Sequence, residues 1–194
     1  MPSVKILIQG YARQKNGVEH ASPATVLIED SGKKILVDPG SNKKLLLSAL
    51  KREHLKPNDI DAIFITHWHP DHILNIRLFP DAVIYDIDET YRNDTIKEHN
   101  NTVPGTNIKI IPTPGHAHGH ASLLIETDQE RVVVAGDIFW WTDDQKQRTD
   151  RKSLLSLNDP YVKNKKALRQ SRQKLLKLAD RVIPGHGKMF KVEK

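Results

Sequence analysis

Short apolar runs separated by polar turns recur along the chain and predict β-strands. They occupy residues 4–9, 24–29, 34–37, 62–66, 82–85, 108–111, 122–126, 131–135 and 181–183. The Asp30-Ser31-Gly32 turn between the second and third runs indicates a β-hairpin. Residues 10–23 are mostly polar and are predicted to form a loop. The first third of the chain is therefore predicted to consist mainly of strands and turns.

Two segments place their apolar residues at the spacing of a helix instead. The first, residues 41–55, has Ser41 or Asn42 as its N-cap. The second, residues 161–178, follows Asp159-Pro160, a pair that is typical of a helix start. Clusters of strands with single helices between them favour an α/β sandwich, in which the sheets lie inside and the helices outside.

A chain of 194 residues without a repeat or an evident linker is most simply one domain, residues 1–194. No apolar run approaches the roughly 20 residues that span a bilayer, and the N-terminal residues lack the apolar region of a signal peptide. We therefore expect no transmembrane segment and a cytoplasmic location. The sequence contains no cysteine, so a metal ion would have to be bound by histidine and carboxylate side chains.

The segment HWHPDH, residues 67–72, follows a short apolar run and carries the strongest chemical signal. In an extended segment residues i and i+2 point the same way, so His67 and His69 can bind one ion together. If the chain then turns into a helix, Asp71 and His72 would reach a neighbouring position. Imidazole and carboxylate groups at this density indicate a metal site, whereas a single histidine would not.

Three later segments share a pattern of strand end, tight turn and one polar residue. His116 follows Thr-Pro-Gly, Asp137 follows Ala-Gly, and His186 follows Pro-Gly. Glycine beside each candidate permits the tight backbone paths that bring strand ends together. Each segment alone is a weak signal, since an aspartate after glycine is most often a turn residue. Their significance lies in their combination with residues 67–72.

Together these segments resemble the metallo-β-lactamase superfamily, whose signature is HxHxDH followed by a lone histidine, a lone aspartate and a final histidine. The resemblance covers nearly the whole chain and implies a four-layer αββα sandwich, with the site at one edge between the sheets. It also implies a full set of ligands for two metal ions. The first ion would be bound by His67, His69 and His116, the second by Asp71, His72 and His186, and Asp137 would bridge them.

The same resemblance implies a hydrolase that uses a hydroxide held by two divalent ions, because such ions lower the pKa of a shared water. Zinc is the expected metal, and iron or manganese would accept the same ligands. Asp71 is implied to be catalytic, as a proton shuttle as well as a ligand. Asp38, in ILVDPG, matches a position that orients a ligating histidine, and it could equally be a turn residue. His118 and His120 are weaker candidates for contact with the site or the substrate.

Positive charge is concentrated near the C-terminus. Residues 1–144 contain 15 Lys and Arg against 20 Asp and Glu, whereas residues 145–194 contain 15 against 4. Phosphate neutralisation by these residues and base stacking on nearby aromatic rings would suit RNA or single-stranded nucleic acid. A solvated helix face explains the charge equally well. The candidates for substrate contact are Trp140, Trp141, Tyr161, Lys163, Lys165, Lys166, Arg169, Arg172, Lys174 and Lys177.

The chain further resembles the small metallo-β-lactamase domain-containing protein 1 group, in ILVDPG, VAGDIF and the stretch from Asp159-Pro160 to PGHG. That resemblance implies a compact hydrolase, for which RNA phosphodiester cleavage is the leading hypothesis. The alternative is hydrolysis of a small carbonyl compound such as a β-lactam, a lactone or a thioester. A non-catalytic binding module is disfavoured, because no ligand of the signature is missing.

Overall fold

The computed structural model describes residues 1–193 as two facing β-sheets with helices on their outer surfaces. The strands are β1 (Ser3–Ile8), β2 (Tyr11–Lys15), β3 (Val18–Ser22), β4 (Thr25–Asp30), β5 (Lys33–Val37), β6 (Ala62–Phe64), β7 (Val83–Tyr85), β8 (Glu89–Arg92), β9 (Thr95–Glu98), β10 (Lys109–Pro112), β11 (Ala121–Glu126), β12 (Arg131–Trp140), β13 (Arg181–His186) and β14 (Phe190–Lys191). The helices are α1 (Lys43–Arg52), α2 (Pro70–Ile73), α3 (Arg151–Leu155) and α4 (Lys165–Leu178), with 3-10 turns at Pro57–Asp59 and Ile76–Leu78. Among the helices of residues 1–193, none has the length and apolar character needed to span a bilayer.

The layers follow from how the two sheets are covered. One sheet has the strand order β1-β4-β5-β6-β7-β8-β9, and the other has the order β10-β11-β12-β13-β14. Helix α1 packs on the outer face of the first sheet through Leu46 and Leu50. Helix α4 packs on the outer face of the second through Leu168 and Leu175. The order helix, sheet, sheet, helix confirms the predicted αββα sandwich.

Strand β4 shows why the central strands consist of continuous apolar runs. Side chains alternate across a strand, so Val26 and Ile28 pack into the core between the sheets while Leu27 packs toward α1. All three side chains are buried. A strand that is covered on both faces needs apolar residues at successive positions and not only at alternate ones.

Residues 10–23 contain a hairpin and not the predicted loop. Strands β2 and β3 pair antiparallel around Asn16 and Gly17, whose φ angles are 51° and 76°. Asn-Gly is a preferred sequence for a hairpin turn with positive φ at both central residues. The prediction failed because polar side chains occupy most of these two strands. The hairpin is joined to the edge of the sandwich, where Gly187 N–H donates to the carbonyl of Gly10 at 3.0 Å.

Three other features differ from the predicted pattern. The sequence did not predict the β8–β9 hairpin or the short helix α3. Helix α4 begins at Lys165 and not directly after Asp159-Pro160, because Asn164 caps it by accepting a hydrogen bond from Ala167 N–H at 3.0 Å. Asp159 is buried and has another partner, described below.

Strands of both sheets end at one edge of the sandwich. Strands β5, β6 and β7 are parallel neighbours, and so are β12 and β13. Gly185 of β13 packs closely against β12 at this edge. A Cβ atom added there would lie 1.8 Å from Oδ1 of Asp137 in β12, so only glycine permits this packing. The edge therefore collects polar side chains from both sheets.

Candidate metal centre

The segment after β6 brings four candidate ligands to this edge. The chain is non-helical as far as His69, whose backbone (φ −79°, ψ 145°) is the N-cap of α2. Pro70 takes the first helical position, where a missing N–H has no cost. Asp71 and His72 follow in the first turn. The expected change from a non-helical to a helical backbone thus separates His67 and His69 from the other pair.

Three further strands deliver the remaining candidates. His116 follows β10, Asp137 lies within β12, and His186 ends β13. The turn before His116 contains Gly115, whose φ is 140°. A Cβ at Gly115 would lie 2.2 Å from the backbone nitrogen of Leu168, so α4 packs directly against this turn.

The seven side chains form two adjoining groups with Asp137 between them. Oδ2 of Asp137 is 3.5 Å from His116 Nε2 and 3.9 Å from His67 Nε2. Its Oδ1 is 3.5 Å from His72 Nε2 and 3.6 Å from His186 Nε2. In each group the ligand atoms lie within 4.8 Å of one another. One group is His67, His69, His116 and Asp137, and the other is Asp71, His72 and His186.

These separations suit a shared cation in each group. Two ligands of a tetrahedral zinc ion are about 3.4 Å apart when each lies about 2.1 Å from the ion. His186 Nε2 and Asp71 Oδ2 are 3.4 Å apart, and His116 Nε2 and His69 Nδ1 are 3.2 Å apart.

The cluster also contains buried polar atoms without a partner in the described protein. These atoms are Nε2 of His67, Nε2 of His72 and Oδ1 of Asp137. A buried polar atom without a partner is costly and requires an explanation. Cations bound in the two groups would satisfy all three atoms, so the residues present fit divalent metal ions.

Hydrogen bonds on the far side of the rings determine which nitrogen faces the centre. Asp38 Oδ2 lies 2.8 Å from His72 Nδ1, and Asp159 Oδ2 lies 2.8 Å from His116 Nδ1. In this arrangement each Nδ1–H donates to a carboxylate, and Nε2 is free to bind an ion. The backbone carbonyl of Tyr11 lies 2.9 Å from Nδ1 of the terminal histidine, His186.

Asp38 contacts the ring of His72, as expected for a residue that orients a candidate ligand. This was one of the two roles that the sequence suggested for it. It is buried and also accepts hydrogen bonds from Thr66, through N–H at 2.9 Å and Oγ1 at 2.7 Å. Its φ of 46° is uncommon for a residue other than glycine. Strain of this kind persists where surrounding contacts fix a residue at a functional site.

Asp159 is a supporting residue that the sequence did not predict, because the pair Asp159-Pro160 is typical of a helix start. The useful signal was an aspartate in an otherwise strongly basic segment. Its second oxygen, Oδ1, accepts a hydrogen bond from Tyr161 N–H at 3.0 Å. Asp159 therefore fixes the ring of His116 and the backbone that carries Tyr161.

Burial and neighbouring carboxylates shift the pKa values of the histidines in this cluster in opposite directions. Burial lowers the pKa of His67 well below its ordinary value, and neighbouring His72 adds to the effect. Burial also disfavours protonated His72, but Asp38 and Asp137 raise its pKa well above the ordinary value. Against burial, Asp137 raises the pKa of His186 to about 9. Before metal binds, His72 and His186 therefore carry protons at neutral pH.

The two weaker histidine candidates have different surroundings. His118 is exposed and does not belong to the cluster. His120 is buried, its Nδ1 lies 2.9 Å from Thr113 Oγ1, and its ring stacks on His67 with centroids 5.1 Å apart. Burial lowers the pKa of His120 to about 3, so its ring is neutral. It supports the position of His67 from outside the ligand groups.

A cavity of about 520 Å³ opens beside the cluster. His69, Asp71, Asp137 and His186 form its floor, and Trp140 stands beside His186 with ring centroids 6.1 Å apart. No Lys or Arg of residues 1–193 is among the side chains that line it. The remaining lining residues are Ala12, Glu19, Ala21, Ser41, Pro70, Leu74, Trp140 and Tyr161.

The basic residues of α4 do not share one role. Arg172 is buried and donates hydrogen bonds to the carbonyls of Ile138 at 2.9 Å and Leu157 at 2.6 Å. The prediction that Arg172 is available to contact a polyanion was therefore wrong. Lys166 and Arg169 are exposed, as the sequence suggested, but neither lines the cavity.

Comparison with known proteins identifies the family. The family model described as the metallo-beta-lactamase superfamily matches residues 21–87. A Xenopus laevis protein named metallo-beta-lactamase domain-containing protein 1 is 31% identical over 99% of this chain and 82% of its own length. The chain belongs to the metallo-β-lactamase superfamily. The resemblance to the domain-containing protein 1 group is also confirmed. The mouse protein of that name is 34% identical over 81% of this chain, which spans 61% of the mouse protein's length.

Solved structures with low sequence identity share the fold. A Thermotoga maritima protein assigned to the metallo-β-lactamases has a TM-score of 0.72 at 21% identity, covering 98% of this chain and 99% of its own. AidC, a dizinc quorum-quenching lactonase, has a TM-score of 0.66 at 19% identity, covering 87% and 73%. The chemotaxis sensor ODP, solved as a peroxy diiron species, has a TM-score of 0.69 at 21% identity, covering 98% and 85%.

We predict that metal binding releases protons. A cation binds only the deprotonated imidazole, and His72 and His186 are protonated below their raised pKa values. Zinc affinity should therefore increase from pH 6.5 to pH 9, with about two protons released per chain at pH 7. Calorimetric titration of chelator-treated protein, in buffers that differ in ionisation enthalpy, measures this number. The exposed-histidine variant His118→Ala should release the same number, and zinc binding without proton release would contradict the prediction.

Proposed function

We propose that the protein is a hydrolase with two divalent metal ions bound side by side. The observation that carries this proposal is the position of Asp137, whose two oxygens face different groups of imidazole nitrogens at 3.5–3.9 Å. A carboxylate in this position is suited to bridge two ions. The ligands would be His67, His69 and His116 for the first ion, Asp71, His72 and His186 for the second, and Asp137 for both.

Zinc is the metal we propose, since it binds imidazole and carboxylate ligands in tetrahedral sites. Iron or manganese accepts the same ligands. This fold accommodates a dizinc centre in AidC and a diiron centre in the sensor ODP, so the fold does not select the metal. When bound, two divalent ions would supply Lewis acidity and would lower the pKa of water toward neutrality.

Asp71 is the residue of the cluster best suited to proton transfer. Its side chain is 26% exposed and lines the cavity, whereas Asp137 is buried. Burial would raise the pKa of Asp71, but a hydrogen bond from His186 and the charge of His72 lower it below the ordinary value. The carboxylate is therefore ionised at neutral pH. It can accept a proton from the attacking water and return it to the leaving group.

The cavity favours a compact carbonyl substrate such as an ester, a lactone, a thioester or a β-lactam. Its volume of about 520 Å³ suits a small molecule. Alanine, leucine and proline side chains form part of the wall, together with Trp140 and Tyr161. Apolar walls exclude bulk water and strengthen electrostatic interactions within the site. Cleavage of a nucleic-acid phosphodiester backbone would instead be favoured by cationic side chains around the cluster.

RNA phosphodiester cleavage is the second candidate. The observation in its favour is the start of α4, where Lys163, Lys165 and Lys166 are exposed. This end of the helix lies at the turn that carries His116, since Lys163 N–H donates to the carbonyl of Gly115 at 2.9 Å. A nucleic-acid strand on this surface would pass close to the cluster. The cytoplasmic location that we expect would give access to RNA.

The variant Asp71→Ala should lose turnover by at least about a thousandfold, because it removes a metal ligand and a proton acceptor together. The fold should persist, since this side chain is partly exposed. Circular dichroism and hydrolysis of a chromogenic ester or lactam on one sample measure both properties. The variant Asp81→Ala, which removes an exposed carboxylate outside the cluster, is the control. Turnover within a few fold of wild type would show that Asp71 has neither role.

Reversal of Lys166 and Arg169 to Glu separates the two substrate classes. If RNA is bound along α4, the double variant should bind single-stranded RNA more weakly, with a salt slope reduced by about 1.4 for two lost contacts. Hydrolysis of a small uncharged ester should be almost unchanged. Reversal of the exposed residues Lys43 and Lys44 on α1, behind the opposite sheet, makes the same change in net charge and is the control. Equal RNA binding by both double variants would remove the RNA candidate.

A further inference from the structure

The charge of the cavity wall is negative outside the metal centre. Among its lining residues that are not candidate ligands, Glu19 is the one with an acidic side chain. The other residues of this wall are apolar, aromatic or hydroxyl-bearing. A wall of this composition does not attract anions, and it offers one fixed partner for a cation.

The β2–β3 hairpin determines which side chains face the cavity. Ala12 pairs with Ala21, and Gln14 pairs with Glu19. Side chains two residues apart lie on the same face of a strand, so these two pairs share one face. Ala12, Ala21 and Glu19 all line the cavity, which identifies that face.

The two cationic side chains of this hairpin, Arg13 and Lys15, belong to the opposite face. Arg13 pairs in register with His20, between the two pairs that face the cavity. Its guanidinium lies 3.7 Å from the carboxylate of Asp143 and 4.9 Å from the ring centroid of Tyr11. Arg13 is therefore engaged elsewhere and does not neutralise Glu19.

A pair of aromatic rings lines the same cavity as this carboxylate, and one of them contacts it. The hydroxyl of Tyr161 donates to Glu19 Oε1 at 3.4 Å, and the rings of Tyr161 and Trp140 are 5.8 Å apart with an angle of 30° between them. Tyr161 is 49% exposed, so part of its ring remains accessible. Aromatic faces attract cations through the charge distribution of the π-system, and a nearby carboxylate adds direct charge neutralisation.

We propose that this end of the cavity is a subsite for a cationic group, an amine or quaternary ammonium, carried by the substrate. Glu19 would neutralise the charge, and Tyr161 and Trp140 would contact its alkyl groups. The inference rests on the proposed hydrolase function for the reaction at the other end of the substrate. There the ester C–O bond breaks, water adds its hydroxyl to the carbonyl carbon, and the leaving alcohol takes the proton.

The test uses two molecules of the same shape and different charge. Choline carries a quaternary nitrogen where 3,3-dimethylbutan-1-ol has a carbon atom. Ligand-observed NMR titration of the metal-loaded protein should show choline binding at least about fivefold more tightly, as expected for a partly exposed cation–π contact with an exposed carboxylate nearby. The variant Glu19→Gln should reduce that preference to below about threefold, and Tyr161→Leu should reduce it as well. The variant Glu98→Gln, which removes an exposed carboxylate of β9, should retain it.

Equal binding of the two alcohols by wild-type protein would overturn the inference. A preference for choline that survives in Glu19→Gln would overturn it too. The matching esters, acetylcholine and 3,3-dimethylbutyl acetate, separate this inference from the proposed function. Equal KM for both esters would remove the cation subsite and leave the hydrolase in place. Selective binding of choline, with neither ester hydrolysed by the metal-loaded protein, would support the subsite and count against hydrolysis of such esters.

Discussion

The carboxylate of Asp137 is buried between imidazole nitrogens on two sides, and the surrounding fold accommodates that contact. A buried carboxylate is very costly unless positive charge and hydrogen-bond donors surround it. Here β13 approaches so closely that position 185 has no space for a side chain. Gly136, with φ of 52°, is equally confined, because a Cβ there would lie 2.7 Å from Thr66 Oγ1. The two sheets can meet at this edge only if the charge between them is balanced, which two bound cations would achieve.

Hydrogen bonds behind the candidate ligands connect the centre to other parts of the fold, including helix α4. Asp38 and Asp159 come from different layers, and each fixes one histidine ring through a 2.8 Å contact. Arg172 of α4 joins the carbonyl of Ile138, next to Asp137, to the loop that leads to Asp159. A buried guanidinium is thus used to hold two parts of the centre together. Packing of α4 on the second sheet therefore also positions the first group of ligands.

The sequence predicted that the segments with the candidate ligands would meet, because they follow apolar strands and lie beside turn residues. The sandwich with sheets inside and helices outside was predicted from the periods of buried strands and amphipathic helices, and the αββα order was implied by the family resemblance. Asp159 was missed because its partner, His116, is 43 residues away and no local pattern connects them. The hairpin that forms one cavity wall was missed because its strands are polar. The burial of Arg172 depends on which face of α4 packs against the sheet. The number of positive charges in the segment does not predict that face.

These contacts support the proposal that two metal ions would bind, one in each group of candidate ligands beside Asp137. The most direct measurement is an X-ray anomalous difference map, recorded at the absorption edge of the metal found in protein purified without chelator. We expect two peaks. One should lie among His67, His69 and His116, and the other among Asp71, His72 and His186. A map with no peak at these two positions would contradict the account. A map with a peak at only one of them, at full metal saturation, would contradict it as well.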